Sequence, residues 1–78
     1  MKRPRVTEVI IEAELFPNKG WLLSRIDLDA EGAVIDGSAA ANGYFSSSEA
    51  ARAWYDASEL LAYLRSKGVH TRFERKRS

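Results

Sequence analysis

Seventy-eight residues, 45% hydrophobic and 29% charged, with a formal charge of +1, amount to one small domain with a single core and little room for a deep cleft. The chain has no cysteine, which excludes disulfides, thiolate metal sites and cysteine nucleophiles and favours a reducing cytoplasm over secretion. No apolar run approaches the roughly 20 residues of a membrane span, and Glu8, Glu12 and Glu14 interrupt the stretch after the basic N-terminus, so that stretch is no signal-peptide core.

From the N-terminus, residues 6–16 fit both a helix and a strand by periodicity, and turn counting favours the strand. Pro17-Asn18-Lys19-Gly20 reads as a four-residue loop. With that loop Phe16 faces Trp21, and the pairs outward are Leu15 with Leu22, Ala13 with Ser24, Ile11 with Ile26, and Val9 with Leu28. One face of that ladder is nearly all apolar, and a slip by one residue would invert a whole strand. On the other face Arg25 stands opposite Glu12. Asp29-Ala30-Glu31-Gly32 suits a type I turn, with Asp first and Gly fourth. It leads into a third strand that pairs Leu28 with Ala33 and Ile26 with Ile35, and gives Arg25 a second acidic neighbour in Asp36.

After Asn42-Gly43, Ser46 and Glu49 form the signature of a capping box. Ala50, Ala53, Trp54, Ala57, Leu60, Leu61 and Leu64 then recur at helical spacing, which predicts one long helix packed on one face of the sheet. Tyr55 points away from that packed side. Lys67-Gly68 ends the helix, with glycine in the left-handed position. Val69, Thr71 and Phe73 alternate with His70, Arg72 and Glu74 as a fourth strand parallel to the first and third. The expected fold is α+β: a three-stranded antiparallel meander, one long helix and a C-terminal fourth strand, in the order β-β-β-α-β. Residues 1–78 form a single domain with basic arms at 1–5 and 74–78. Periodicity leaves open whether the last strand lies beside the first or the third.

The stretch Tyr44-Phe45-Ser46-Ser47-Ser48-Glu49-Ala50, with Leu64-Arg65-Ser66-Lys67-Gly68-Val69, resembles the cap–helix–glycine–strand unit of two small modules. These are the peptidoglycan-binding sporulation-related repeats and the arm-type domains of phage integrases. The resemblance covers the helix and its flanks and carries no functional residue across.

Catalytic chemistry is not expected. Acid–base work needs two titratable groups whose surroundings push them apart, whereas the acids here fall on a strand's outer face, on turns and on the helix's solvent side. His70 is the only histidine; the three serines at 46–48 are absorbed by the helix start at its far end, so no triad forms. One histidine and scattered carboxylates lack a metal-ligand spacing, the glycines form no phosphate loop, and no cofactor is implied.

Two binding roles remain. The outer sheet face gathers Ile10, Phe16, Trp21, Leu23 and Val34 with no helix left to cover them, which suits contact with an unidentified protein partner or with a second copy in a homodimer. The alternative is nucleic acid, held by phosphate contacts from Lys2, Arg3 and Arg5 at one end and Arg72, Arg75, Lys76 and Arg77 at the other. Residues 65–78 carry six basic side chains against Glu74, whereas residues 6–64 carry ten acids against Lys19, Arg25 and Arg52. That acidic body would repel a phosphate backbone, so the arms alone would make such contacts.

Overall fold

In the computed structural model, which describes residues 5–76, the first hairpin closes one residue earlier than the loop count implies. Strand β1 (Glu8–Phe16) meets strand β2 (Gly20–Leu28) through Pro17, Asn18 and Lys19 alone. The Lys19 amide donates to the Phe16 carbonyl at 3.1 Å. Proline sets the second turn position, and Asn18 takes the left-handed conformation, φ 67°, at the third, as a type II turn requires. Gly20 is thereby released from the loop into the strand opposite Phe16. Its φ is +118° and a Cβ there would lie 2.6 Å from the Phe45 carbonyl oxygen, so glycine suits this position on both counts.

That shift turns β2 over relative to the expected ladder. Leu15 pairs with Trp21, Ala13 with Leu23, Ile11 with Arg25 and Ile10 with Ile26. Leu23, expected on the open face, is fully buried, worth about 1.5–3 kcal/mol relative to exposure. Trp21 also moves to the covered side and packs against the core. Arg25 faces neither Glu12 nor Asp36. It stands between Ile11 and Ser38 and clasps Asp27, two residues along its own strand, with Nε–Oδ1 2.7 Å and Nη2–Oδ2 3.3 Å.

The second turn forms as expected. The Gly32 amide bonds the Asp29 carbonyl at 3.1 Å, and the Asp29 carboxylate accepts from the Glu31 and Ala33 amides at 2.9 Å each. Strand β3 (Val34–Phe45) follows, antiparallel to β2 and broken by two irregularities. Ile35 is extra opposite the Asp27–Leu28 step, and residues 40–43 stand against Leu23 alone. The pairs are therefore Asp27 with Asp36, Arg25 with Ser38 and Leu22 with Tyr44.

In place of one long helix there are two short ones, α1 (Ser48–Asp56) and α2 (Glu59–Ser66). Ser47, rather than Ser46, caps α1: its hydroxyl accepts from the Ala50 amide at 3.0 Å. The capping box lapses, because the third helical position is then Ala50 and not Glu49. Ser58 separates the helices, its hydroxyl donating to the Tyr55 carbonyl at 2.6 Å and accepting from the Leu61 amide at 3.2 Å. The break resets the helical phase, so Ala51 and Tyr55 are buried from α1 and Leu61 and Leu64 from α2. Trp54 stays 41% exposed against Phe45, ring centroids 5.7 Å apart, and Tyr55, expected to point outward, is 3% exposed.

Helix α2 ends as its sequence implies. Gly68, at φ 71°, bonds the Arg65 carbonyl, and the Val69 amide bonds that of Leu64, the paired closure that directs the chain back towards the sheet. Strand β4 (His70–Lys76) then lies beside β1, in parallel, and completes a mixed sheet in the order β3-β2-β1-β4. The class is α+β. Val9, Ile11, Ala13 and Leu23 form the sheet side of the core; Ala51, Tyr55, Leu61 and Leu64 form the helix side. No helix among the described residues is long and apolar enough to cross a membrane.

Candidate functional site: the helix-free face of the sheet

Alternation along the strands, with the observed register, decides which side chains the helices leave uncovered. On β1 these are Glu8, Ile10, Glu12, Glu14 and Phe16; on β2, Leu22, Ser24 and Ile26, with Leu28 on the same side but buried. Strand β3 contributes Val34, Ala39 and Tyr44, and β4 contributes His70, Arg72, Glu74 and Lys76. Val34 is 68% exposed, Tyr44 is 46% exposed, and Ile10, Phe16, Leu22 and Ile26 are half-buried among their neighbours. Phe16 and Tyr44 meet edge to face with centroids 6.0 Å apart, a geometry that aromatic quadrupoles favour.

Of the five residues expected on this face, Ile10, Phe16 and Val34 lie there; Trp21 and Leu23 do not. Leu22, Ile26 and Tyr44 take their places and were missed. Asn18 was the available signal, since an asparagine after proline suits the left-handed position of a type II turn. That reading makes the loop three residues long and places Leu22 and Ile26 outward.

Charge on this face is confined to β1 and β4. Glu8 lies 3.8 Å from His70, Glu14 3.9 Å from Lys76, and Arg72 3.3 Å from Glu74. These are solvated pairs that add little to stability, and with four glutamates against Arg72 and Lys76 the β1–β4 half keeps an acidic excess. The β2–β3 half of the same face has no ionisable group besides the Tyr44 phenol.

The basic residues do not converge. Arg5 lies before β1 and shares a shallow depression with Asp29 and Glu31, whereas Lys76 sits at the other end of β1, opposite Glu14. About 20 Å of strand separates those ends. Arg72 and Lys76 project from the helix-free face and Arg75, opposite the buried Ala13, from the helix side. Lys2, Arg3 and Arg77 lie outside the described residues.

On the helix side a depression of about 310 Å³ is lined by Ser48, Glu49, Arg52, Phe73 and Arg75. The Arg52 guanidinium lies 5.4 Å from the Phe73 ring centroid, and the Ser48 hydroxyl donates to the Glu49 carboxylate at 3.3 Å. The depression thus holds a cation stacked on an aromatic ring beside a long hydroxyl–carboxylate contact between sequence neighbours. His70 is 72% exposed, at the opposite end of the sheet from Ser46–Ser48. No group of three or more His, Asp or Glu able to hold a metal occurs among the described residues.

No family model, curated protein or solved structure matches the chain.

Proposed function

We propose that this chain is a non-catalytic binding module that acts through protein contact on the helix-free face of its sheet. The observation that carries this reading is the uncharged half of that face, where Leu22 beside Tyr44, Ile26, and Val34 beside Leu28 follow one another along β2 and β3, with Ser24 and Ala39 between them and no helix over them. An antiparallel sheet with one solvated face ordinarily alternates apolar and polar side chains. Apolar groups on both faces of β2 supply more hydrophobic surface than the fold itself uses, and patches of this kind mark contact sites. Aromatic residues such as Phe16 and Tyr44 suit the centre of such a contact, because they bury large area at low entropic cost.

The test is a photo-reactive phenylalanine derivative placed at Val34 or Tyr44, with Tyr63 on α2, 57% exposed, as the control position. Irradiation in the producing cell is expected to give protein adducts from positions 34 and 44 and none from 63. An adduct-free face, or adducts equally frequent at 63, would remove the basis for this reading.

A further inference from the structure

We infer that the open edge of β4 is a site of self-association. Strand β4 of one copy adds antiparallel to β4 of a second, with Phe73 opposite Phe73 on a two-fold axis, and the two four-stranded sheets become one. This site is the rim of the sheet rather than the uncharged half of its open face, so it goes beyond the reading of that face.

The backbone presents this edge in regular form. Strand β4 pairs with β1 without a shift, from His70 opposite Glu8 to Lys76 opposite Glu14, whereas β3, the other edge, is interrupted twice. The His70 amide donates to the Thr7 carbonyl at 3.1 Å. In a parallel ladder the N–H and C=O of one residue point to the same side, and successive residues alternate. Arg72 and Glu74 therefore face β1 as His70 does, and the amides and carbonyls of Thr71, Phe73 and Arg75 point away from it. Among the described residues no strand lies beyond β4 to receive these groups.

Charge selects both the occupant and the register. Antiparallel pairing must set outward-pointing residues against each other, so the axis passes through a residue and not between two. With the axis at Phe73, Thr71 stands opposite Arg75, Arg72 opposite Glu74 and His70 opposite Lys76. The Arg72 and Glu74 positions are then the non-hydrogen-bonded pairs, where facing side chains come closest. Within one strand these two side chains already lie 3.3 Å apart, so the two copies together form a ring of four charges alternating in sign. Moving the axis to Arg72 or to Glu74 sets two arginines or two glutamates face to face, which is destabilising. A two-fold contact requires that one patch complement itself, and the triplet Arg72-Phe73-Glu74 does so in one register alone. Cations along an edge ordinarily oppose pairing. Here Arg75 meets the Thr71 hydroxyl and Lys76 meets the His70 imidazole, with Glu14 and Glu8 of β1 at 3.9 and 3.8 Å from those last two. Phe73, half-buried beside Tyr55 and Arg52, gains its own counterpart across the strands, a pairing that aromatic side chains favour. Leu22, Ile26, Val34 and Tyr44 of each copy stay uncovered.

Sedimentation velocity from micromolar to millimolar concentration tests this, on the wild type, on Arg72→Glu, on Glu74→Arg and on an equimolar mixture of the two variants. Both side chains are exposed, so neither reversal is expected to unfold the chain, and far-ultraviolet helix content checks this. A concentration-dependent dimer is expected for the wild type. Each reversal alone sets like charges opposite one another at two places and should weaken the dimer by at least about tenfold. The mixture should regain it as a heterodimer, because each reversed site then meets its opposite. In the wild type the amides of Thr71, Phe73 and Arg75 should exchange more slowly as concentration rises, while those of residues 34–39 stay unchanged. Should a reversal unfold the chain, these three amides decide the matter alone. A wild type that is monomeric at millimolar concentration overturns the inference and leaves the edge to an extended segment of another protein or to water. A dimer indifferent to both reversals, reversed variants that do not recover on mixing, or a dimer that leaves the three amides unprotected overturns it equally. The photo-adducts at positions 34 and 44 report on the open face and are unaffected by any of these results.

Discussion

Leu23 and Tyr55 show how a single side chain's position follows from its backbone rather than from its hydrophobicity. Leu23 is fully enclosed opposite Ala13, so Leu23→Ala should cost about 2–5 kcal/mol in urea unfolding, the range for truncating a leucine in a core that cannot collapse. Tyr55 is 3% exposed and its hydroxyl is buried without a hydrogen-bond partner. Its ring lies 6.3 Å from that of Phe73. Removing an orphaned hydroxyl while keeping the ring should be neutral or stabilising by up to about 1 kcal/mol. Tyr55→Phe should therefore leave the unfolding midpoint unchanged or raise it; a fall would show that the hydroxyl finds a partner. The contrast between the two residues separates what packing contributes from what a stranded polar atom costs.

Between residues and fold, the serine at position 58 decides the form of the covering layer. A continuous helix through Ala57 and Ser58 would present Ala53, Trp54 and Ala57 to the sheet. The break keeps Leu61 and Leu64 against the sheet and turns Ala51 and Tyr55 of α1 inward in place of Ala53, Trp54 and Ala57. Ser58 serves both helices, accepting from Leu61 and donating to the Tyr55 carbonyl. Ser58→Ala should lower stability by about 1 kcal/mol, the usual loss for a helix N-cap. A gain would mean that the two helices fuse once the competing hydroxyl is gone, because serine within a helix favours its own backbone contacts over continuation. Denaturant unfolding together with far-ultraviolet helix content distinguishes these outcomes.

At the scale of the molecule, stability is distributed across the sheet in the order of its strands. Strand β1 is hydrogen-bonded on both sides and lies beneath both helices, while β3 is an edge with two interruptions. Amides that open only with the whole domain exchange slowest, and exposed edges exchange through local opening. Hydrogen exchange should therefore find Val9, Ile11 and Ala13 the slowest amides and residues 34–39 among the fastest of the strand amides. Equal protection of β1 and β3 in dilute solution would mean that β3 is covered by something the chain itself does not supply. The same layout bears on the basic residues, because parallel pairing of β4 with β1 carries Arg5 and Lys76 to opposite ends of the sheet. Lysines and arginines near both termini in sequence thus do not make one patch in space.

Much of the architecture was legible in the residues themselves. The alternation of Val9, Ile11, Ala13 and Leu15, the Asp29–Gly32 turn, the glycine closure at Gly68 and the alternation after it are local signals, each decided by a few adjacent side chains and their own backbone preferences. They determine four strands, helical cover and an α+β class. What only the tertiary structure decided depends on longer-range competition. Asn18 shortened a loop by one residue, and because strand side chains alternate with a period of two, that residue exchanged Leu23 and Trp21 for Leu22 and Ile26 on the open face. Ser58 found a better use as a cap than as a helical residue, and burial of Tyr55 beside Phe73 followed. The place of β4 beside β1 was settled last, since no local pattern encodes which of two open edges a returning strand will meet. The helix-free face is therefore a joint product: the supply of apolar side chains was written along the chain, and the register determined which of them it exposes.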